Sequence, residues 1–343
     1  MATTPTATGV LKAEKWAPAA LGLLDQEIVL AGLITRDGGA DFTGAENDTV
    51  NIKRPSRLAG QVEKLRDLHA DDYRIKAEKL NERSIPVTLD RHIYTAVELN
   101  DAELSLDIEN FGAQVLTPQS EAVAQRLENL VAGALNGTVA GAAIPSAGDY
   151  DPVLKQIRAL RKQLNKNHVP TNGRVLILGV NVEESLLAHP NLTQADQAGD
   201  SNALRRAELG TLYGFRLVVS NLVDENALIA LHPSAFVLVN RAPLVPEGAK
   251  SGSAQAYNGF ALRAIRDYDS AVAKDRSFIS TFAGLGEVKD YRYEIKDVAG
   301  KASVVEVSAQ PEQVRCVGVR FDFEAEAGAE TKVLKAAATR SAK

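Results

Sequence analysis

The sequence predicts an α+β chain, and three observations carry that prediction. Strand-like alternation brackets a densely charged segment early in the chain. A long, well-capped helix follows. A helix–strand–helix block in the middle then gives way to strands again. At 343 residues the chain is long for one domain and comfortable for two.

Taken in order, the first ten or so residues are rich in Thr and Ala and read as a mobile arm. Leu21, Leu24, Ile28 and Ala31 then recur at helical spacing, ending before Asp37-Gly38-Gly39. "NDTVNIKRP" (47–55) switches to alternation, with Val50 and Ile52 on one face of a strand. Residues 46–91 hold ten Lys/Arg and nine Asp/Glu. Strand-like "SIPVTLD" (84–90) closes this stretch, so it can fold as one long hairpin with its tip near Leu68 and His69. Arms of about 17 residues would reach on the order of 55 Å. An isolated two-stranded ribbon of that kind is marginal in water. Two readings stay open: a solvated loop, or an arm that becomes ordered on a neighbouring subunit.

"TPQSEAVAQRLENLVAGALNG" (117–137) is the best helix signal. Thr117 suits the cap, Pro118 the first turn and Gly137 the end, with Val123, Leu127, Leu130, Val131, Ala134 and Leu135 as its apolar stripe. Small residues from 137 to 150 mark a domain boundary. Beyond it, Leu154, Ile157, Leu160 and Leu164 predict a helix opened by Asp151-Pro152, and "GRVLILG" (173–179) a short buried strand. "NVEESLLAHP" is expected to start with Asn181 as cap and Glu184 three later. "SNALRRAELG" (201–210) reads as a further helix and "NALIALHPSAF" (226–236) as strand and turn. From Gly259, "GFALRAIRDYD", "SFISTFAGLGEV", "ASVVEVSA" and "VRCVGVRFDFE" are strands, with "KDVAGKAS" a hairpin turn, and an alanine-rich end that frays.

Composition narrows the function. Apolar residues at 45% and charged residues at 24% are ordinary globular values. No apolar stretch approaches the roughly 20 residues of a membrane span, and the N-terminus does not read as a signal peptide. The single cysteine, Cys316, cannot pair within the chain, which fits a reducing compartment. A net charge of −5 argues against a dedicated nucleic-acid binder, though not against a protein that encloses nucleic acid.

Chemistry-bearing motifs are sparse. Gly210 and Gly214 in "GTLYGFRLVVSN" are one residue too close for a phosphate loop, and no lysine follows. A dinucleotide fingerprint runs strand, glycines, helix, whereas the order here is helix, glycines, strand. The five histidines (His69, His92, His168, His189, His232) never pair at i, i+4, and no cysteine cluster joins them to make a zinc site. Cys316 sits in a strand-like run, read as a buried thiol. Asp71-Asp72 and Glu183-Glu184 are explained by a loop tip and a helix start. The expectation is no enzyme, no cofactor and no metal.

The order of parts is the informative feature: arm and short helix, "ENDTVNIKRP", charged hairpin, "SIPVTLDRHIYTAVELNDAELSLDIENFG", capped helix, α/β block, then "GTLYGFRLVVSN" and "YNGFALRAIRDYDS". This set resembles the major capsid (coat) proteins of tailed bacteriophages with the Hong Kong 97-type capsid fold, over residues 15–290. Within that fold it is most similar to the podovirus type whose assembly uses a separate scaffolding protein. The resemblance implies an N-terminal arm (1–46), an extended loop (47–90), and a peripheral domain (91–149 and 256–330) with a spine helix (118–136). It further implies an axial domain (150–255) and a flexible tail (331–343). The segment after Val288 has no clear family match and is expected either to complete the peripheral sheet or to decorate the outside.

The implied function is self-assembly, as pentamers and hexamers, into an icosahedral shell that encloses double-stranded DNA without sequence-specific binding. The shell forms in the host cytoplasm, and procapsid maturation follows. Implied partners are a scaffolding protein, a portal protein and in some relatives a decoration protein. Arg54, Arg57, Lys64, Arg66, Arg74 and Lys76 become candidate intersubunit contacts in the loop. Relatives sometimes cross-link a lysine to an asparagine, and Lys64, Lys76 and Lys79 lie in the corresponding region. The competing readings are a bacterial nanocompartment shell, which shares the fold, and a soluble α/β enzyme.

Overall fold

The computed structural model describes residues 13–39, 45, 46, 48–54, 58–60, 83–99, 112–139, 141, 143–146, 150–188, 211–249, 251–269, 274–298, 301–306, 308 and 310–323. Its helices are α1 (Ala13–Glu27), α2 (Thr117–Gly137), α3 (Tyr150–Lys166) and α4 (Val180–Leu187). The strands of the first half are β1 (Thr35–Gly39), β2 (Ala45–Glu46), β3 (Thr49–Arg54), β4 (Arg83–Thr88), β5 (Arg91–Leu99), β6 (Ile144–Pro145) and β7 (Val175–Leu178). Then come β8 (Thr211–Leu212), β9 (Phe215–Val219), β10 (Ala227–Leu231), β11 (Phe236–Arg241), β12 (Ser251–Tyr257) and β13 (Phe260–Asp269). The last are β14 (Lys274–Glu287), β15 (Tyr293–Val298), β16 (Lys301–Glu306) and β17 (Cys316–Asp322).

Two compact units result. One comprises Met1–Val50, Val87–Ala134 and Phe236–Gly286; the other Asn51–Pro86, Leu135–Ala235 and Glu287–Lys343. The first is built on a six-stranded sheet, β1-β11-β14-β13-β12, with β5 also on β14. Helix α1 packs on β12 and β13 and buries Ala17, Ala20, Leu21 and Leu24; of the predicted stripe Leu21 and Leu24 lie on it, while Ile28 and Ala31 fall beyond its end at Glu27. In α2, Val123, Leu127, Val131 and Leu135 are buried, while Leu130 and Ala134 are only half covered. A π-helical turn at Gly112–Leu116 leads into α2. Strands β12 and β13 meet at Asn258-Gly259, both with positive φ (48° and 82°). That is the two-residue turn whose twist matches the flanking strands.

The second unit carries a six-stranded sheet in the order β6-β17-β10-β7-β9-β8. Strands β7 and β10 are wholly buried apolar runs, as central strands covered on both faces must be. Val153, Leu154, Ile157, Leu160 and Leu164 of α3 join Leu176, Leu178, Phe215, Leu228 and Ala230 in one core. Two sequence expectations are revised here. Asn181 does not cap α4: Gly179 occupies that position with no side-chain cap bond, and Asn181 Nδ2 instead donates to Asn226 Oδ1 at 2.7 Å. Gly179 is required because a Cβ there would lie 2.3 Å from the Asp224 and Glu225 carbonyl oxygens. The segment after Val288 neither completes the first sheet nor merely decorates: β17 pairs antiparallel with β10 along Ala227–Leu231. Residues 201–210 lie outside the described residues.

Candidate assembly surfaces

The base of the extended loop is the first element of the site. β2, β3 and β4 form a three-stranded sheet with β3 in the middle, so the two ends of the charged segment do come together as a hairpin base. The Leu89 N–H donates to the Asp48 carbonyl at 2.8 Å, and the Thr49 and Thr88 hydroxyls lie 3.4 Å apart. The end of β4, from Val87, comes close against β14. A Cβ on Gly284 would come 2.2 Å from the Thr88 carbonyl oxygen, and one on Gly286 would come 2.4 Å from Val87 Cγ2. Both glycines are therefore needed for close approach, a role their place in "FAGLGEV" did not disclose. Of the candidate contact residues, Arg54 ends β3. Arg57, Lys64, Arg66, Arg74 and Lys76, with Lys79, lie outside the described residues.

Strand β5 carries the chain from this base into the first sheet. Its alternation puts His92, Tyr94, Ala96 and Glu98 on an exposed face, in register with Phe282, Ser280, Phe278 and Arg276 of β14. The Tyr94 and Phe278 rings stack at 5.7 Å and those of His92 and Phe282 meet at 5.0 Å, yet Tyr94 remains 60% exposed. The Arg263 guanidinium covers Phe278 at 5.6 Å. Burial, with Arg263 second, holds the His92 pKa below its ordinary value. Cross-strand pairs stiffen the β13–β14 hairpin: Arg266 with Asp275 at 2.6 Å and Arg276 with Asp267 at 2.5 Å. This aromatic face was legible only as strand alternation in "RHIYTAVEL".

Glu128 is a residue the sequence reading passed over, since it falls on the buried stripe of α2. Its carboxylate accepts three backbone N–H groups, from Val29 at 3.2 Å, Leu30 at 2.7 Å and Ala31 at 2.8 Å. It thereby supplies acceptors to the 3₁₀ turn Ala31–Leu33, whose own N-cap, Leu30, makes no side-chain bond. Burial raises the Glu128 pKa, and the three N–H donors partly oppose that. On the other side of the sheet from the aromatics, Gln119 Nε2 donates to the Ser277 carbonyl at 3.1 Å and its Oε1 accepts from Ser277 Oγ at 2.8 Å. Both contacts tie α2 to β14.

Nothing described gathers into a catalytic centre. Cys316 is buried, and that burial pushes its thiol up to about 12, far from a nucleophile's range. His232 Nδ1 lies 2.8 Å from Ser234 Oγ, and burial followed by Arg315 and Arg174 lowers its pKa. Among the described residues no group of three or more His, Cys, Asp or Glu is placed to hold a metal ion, and no helix is long and apolar enough to cross a membrane. The glycines of "GTLYGFRLVVSN" serve a turn. Tyr213 and Gly214, both at positive φ (49° and 77°), join β8 to β9 and send Phe215 into the core.

A hairpin base pinned across a long strand, a long helix bonded to that strand, and a separate α/β sheet define a capsid shell subunit of the Hong Kong 97 type. The chain belongs to the phage capsid protein family, whose model matches residues 94–281. It is a major capsid protein, a structural subunit that assembles with its own copies into the icosahedral shell of a tailed phage. Solved structures share its fold. One from Mycobacterium phage Che8 is 21% identical, at TM-score 0.55, covering 85% of this chain and 90% of that one. The capsid of Cyanophage P-SCSP1u is 9% identical, at TM-score 0.53, covering 94% and 92%. The mature capsid of bacteriophage PhiM1 is 11% identical, at TM-score 0.52, covering 94% and 91%. No curated protein matches the chain by sequence.

Proposed function

We propose that the shell built by this chain encloses a double-stranded DNA genome and has no catalytic role of its own. The reading includes a separate scaffolding protein, a portal protein at one vertex and assembly in the host cytoplasm. Residues 91–149 and the strands from 256 onward act as the peripheral domain, with residues 118–136 of α2 as its spine. Residues 150–255 act as the axial domain around the five-fold and six-fold axes, with β17 added to their sheet. The observation that carries this reading is the hairpin base on Gly284 and Gly286, which fixes the root of a charged arm too long to stand alone. Held at its root, such an arm gains its remaining partners from neighbouring subunits. Arg54, Arg57, Lys64, Arg66, Arg74 and Lys76 supply intersubunit salt bridges or hydrogen bonds there. The exposed Tyr94 of β5, stacked on the half-buried Phe278 of β14, adds an aromatic contact suited to a second copy.

Electron microscopy of the protein co-expressed with its own phage's assembly genes tests the proposal. Uniform shells holding genome-length DNA are expected. Shells filled with a cargo protein and lacking DNA would transfer the chain to the nanocompartment class. Bands larger than the monomer from boiled shells would show cross-linking through Lys64, Lys76 or Lys79.

A further inference from the structure

The outer face of α3 plays no part in the core or in the assembly surfaces described above. Between Tyr150 and Lys166 the helix carries five cations, Lys155, Arg158, Arg161, Lys162 and Lys166, against one carboxylate, Asp151. A chain of net charge −5 thus holds a local segment of net charge +4, five cations less one acid. All five cations are exposed, while the apolar positions of the same helix are committed to the core. At 100° per residue, Lys155, Arg158, Lys162 and Lys166 share an arc of about 80° along roughly 16 Å of helix. Among the described residues no carboxylate pairs with any of these four. Elsewhere the guanidinium groups of Arg266, Arg315 and Arg320 hold aspartates at 2.6, 2.8 and 3.4 Å.

The fifth cation is fixed in place. Arg161 Nη1 donates to the Tyr213 carbonyl at 2.7 Å, above the β8–β9 turn. There it faces Arg174, a buried side chain whose own nitrogens are tied to the Pro170 and Val169 carbonyls at 2.8 and 2.6 Å. Burial and then the charge of Arg161 push the Arg174 pKa down. Arg158, Arg161, Lys162, Asn165, Lys166 and Tyr213 line an open hollow of about 500 Å³.

Like charges at i, i+4 destabilise a helix, so an unbalanced stripe of this kind gains stability when an external polyanion neutralises it. Protein interfaces exclude lysine from their centres and use apolar or aromatic anchors; this face offers Tyr213 alone. Long cations on a solvated convex surface are what sequence-independent phosphate contact uses. We propose that the exposed face of α3, with the hollow beside Tyr213, binds the phosphate backbone of duplex DNA irrespective of sequence. The proposal rests on the shell reading for the source of that DNA. The surrounding negative charge keeps the contact weak enough to break during packing and release.

The test is fluorescence anisotropy of a labelled 30-base-pair duplex titrated with the full chain over a series of NaCl concentrations. The wild type is expected to bind with a steep salt dependence. Arg158→Gln/Lys162→Gln/Lys166→Gln is expected to bind at least tenfold more weakly and to lower the log–log salt slope by about 2–3, at about 0.9 per lost phosphate contact. Lys289→Gln/Lys296→Gln, on cations paired with Glu287 and Glu294, is expected to bind as wild type. Arg158→Lys/Lys162→Arg/Lys166→Arg keeps the charge and should retain binding, which separates lost contacts from lost folding. Wild type that does not bind, a triple Gln variant that binds unchanged, or equal loss in the Lys289/Lys296 control would each overturn the proposal. So would displacement of the duplex by poly-glutamate at a lower charge concentration, which would make the face a protein-docking surface. Shells that form without DNA binding would overturn this inference and leave the shell reading standing; DNA binding by a chain that never forms shells would do the reverse.

Discussion

Glu128 shows how much one side chain can hold. Truncation leaves the N–H groups of the buried Leu30 and Ala31 without an acceptor, and removes a third contact at half-exposed Val29. Glu128→Ala is therefore expected to cost about 3 kcal/mol in chemical denaturation, and Glu128→Gln less, because its amide oxygen still accepts. His232, like Glu128, is pushed by burial toward its neutral form, which for a base lowers the pKa. Its folded pKa is depressed by burial, Arg315 and Arg174, so the folded state prefers the neutral ring. The stability this gives is complete above the ordinary histidine range near 6.5 and is lost as pH falls through that range toward the folded value. Thermal unfolding from pH 8 down to pH 5 should show the decline. His232→Asn should flatten it, with the remaining slope belonging in part to His92, shifted in the same direction. An unchanged slope in the variant would show that His232 is not the titrating group.

At the scale of elements, glycines decide where strands can cross and turn. Gly214 holds φ +77° beneath the Arg161 guanidinium, and Gly214→Ala is expected to cost about 1 kcal/mol through backbone strain alone. Gly284→Ala meets backbone and cannot be relieved by a rotamer change. A loss of about 1–3 kcal/mol is expected, with the hairpin base loosened from β14 and shell yield lowered accordingly. The helices follow their sequence signals more closely than their caps do. The α2 stripe and the α3 core positions were readable from apolar spacing, because a helix facing one core must repeat near 3.6 residues. The Asn181 cap was not, because the backbone of the 224–225 loop approaches so closely that only Gly179 fits at that position.

For the whole molecule, the proposed intersubunit role of the charged segment would separate folding from assembly. Arg66→Glu/Arg74→Glu is expected to leave subunit melting within about 1 °C of wild type while sharply reducing shell yield by sedimentation. Equal yields would remove the arm from the assembly account. Heterologous contacts of this sort close into rings only when every copy presents the same pair of surfaces, so a small loss per subunit is multiplied around the shell.

The α+β class, the long helix with its apolar stripe, the hairpin root and the order of parts that marks the capsid family were present in the sequence. Each is written in local periodicity or in turn residues, and local rules act over a few positions. The pairing of β17 with β10, the seat of Glu128 under residues 29–31 and the crowding at Gly284 and Gly179 depend on residues roughly 45 to 200 positions apart. So does the contact of Arg161, on α3, with the carbonyl of Tyr213. No pattern within one segment specifies which distant backbone will lie against it; packing decides that, once every buried polar group must find its partner.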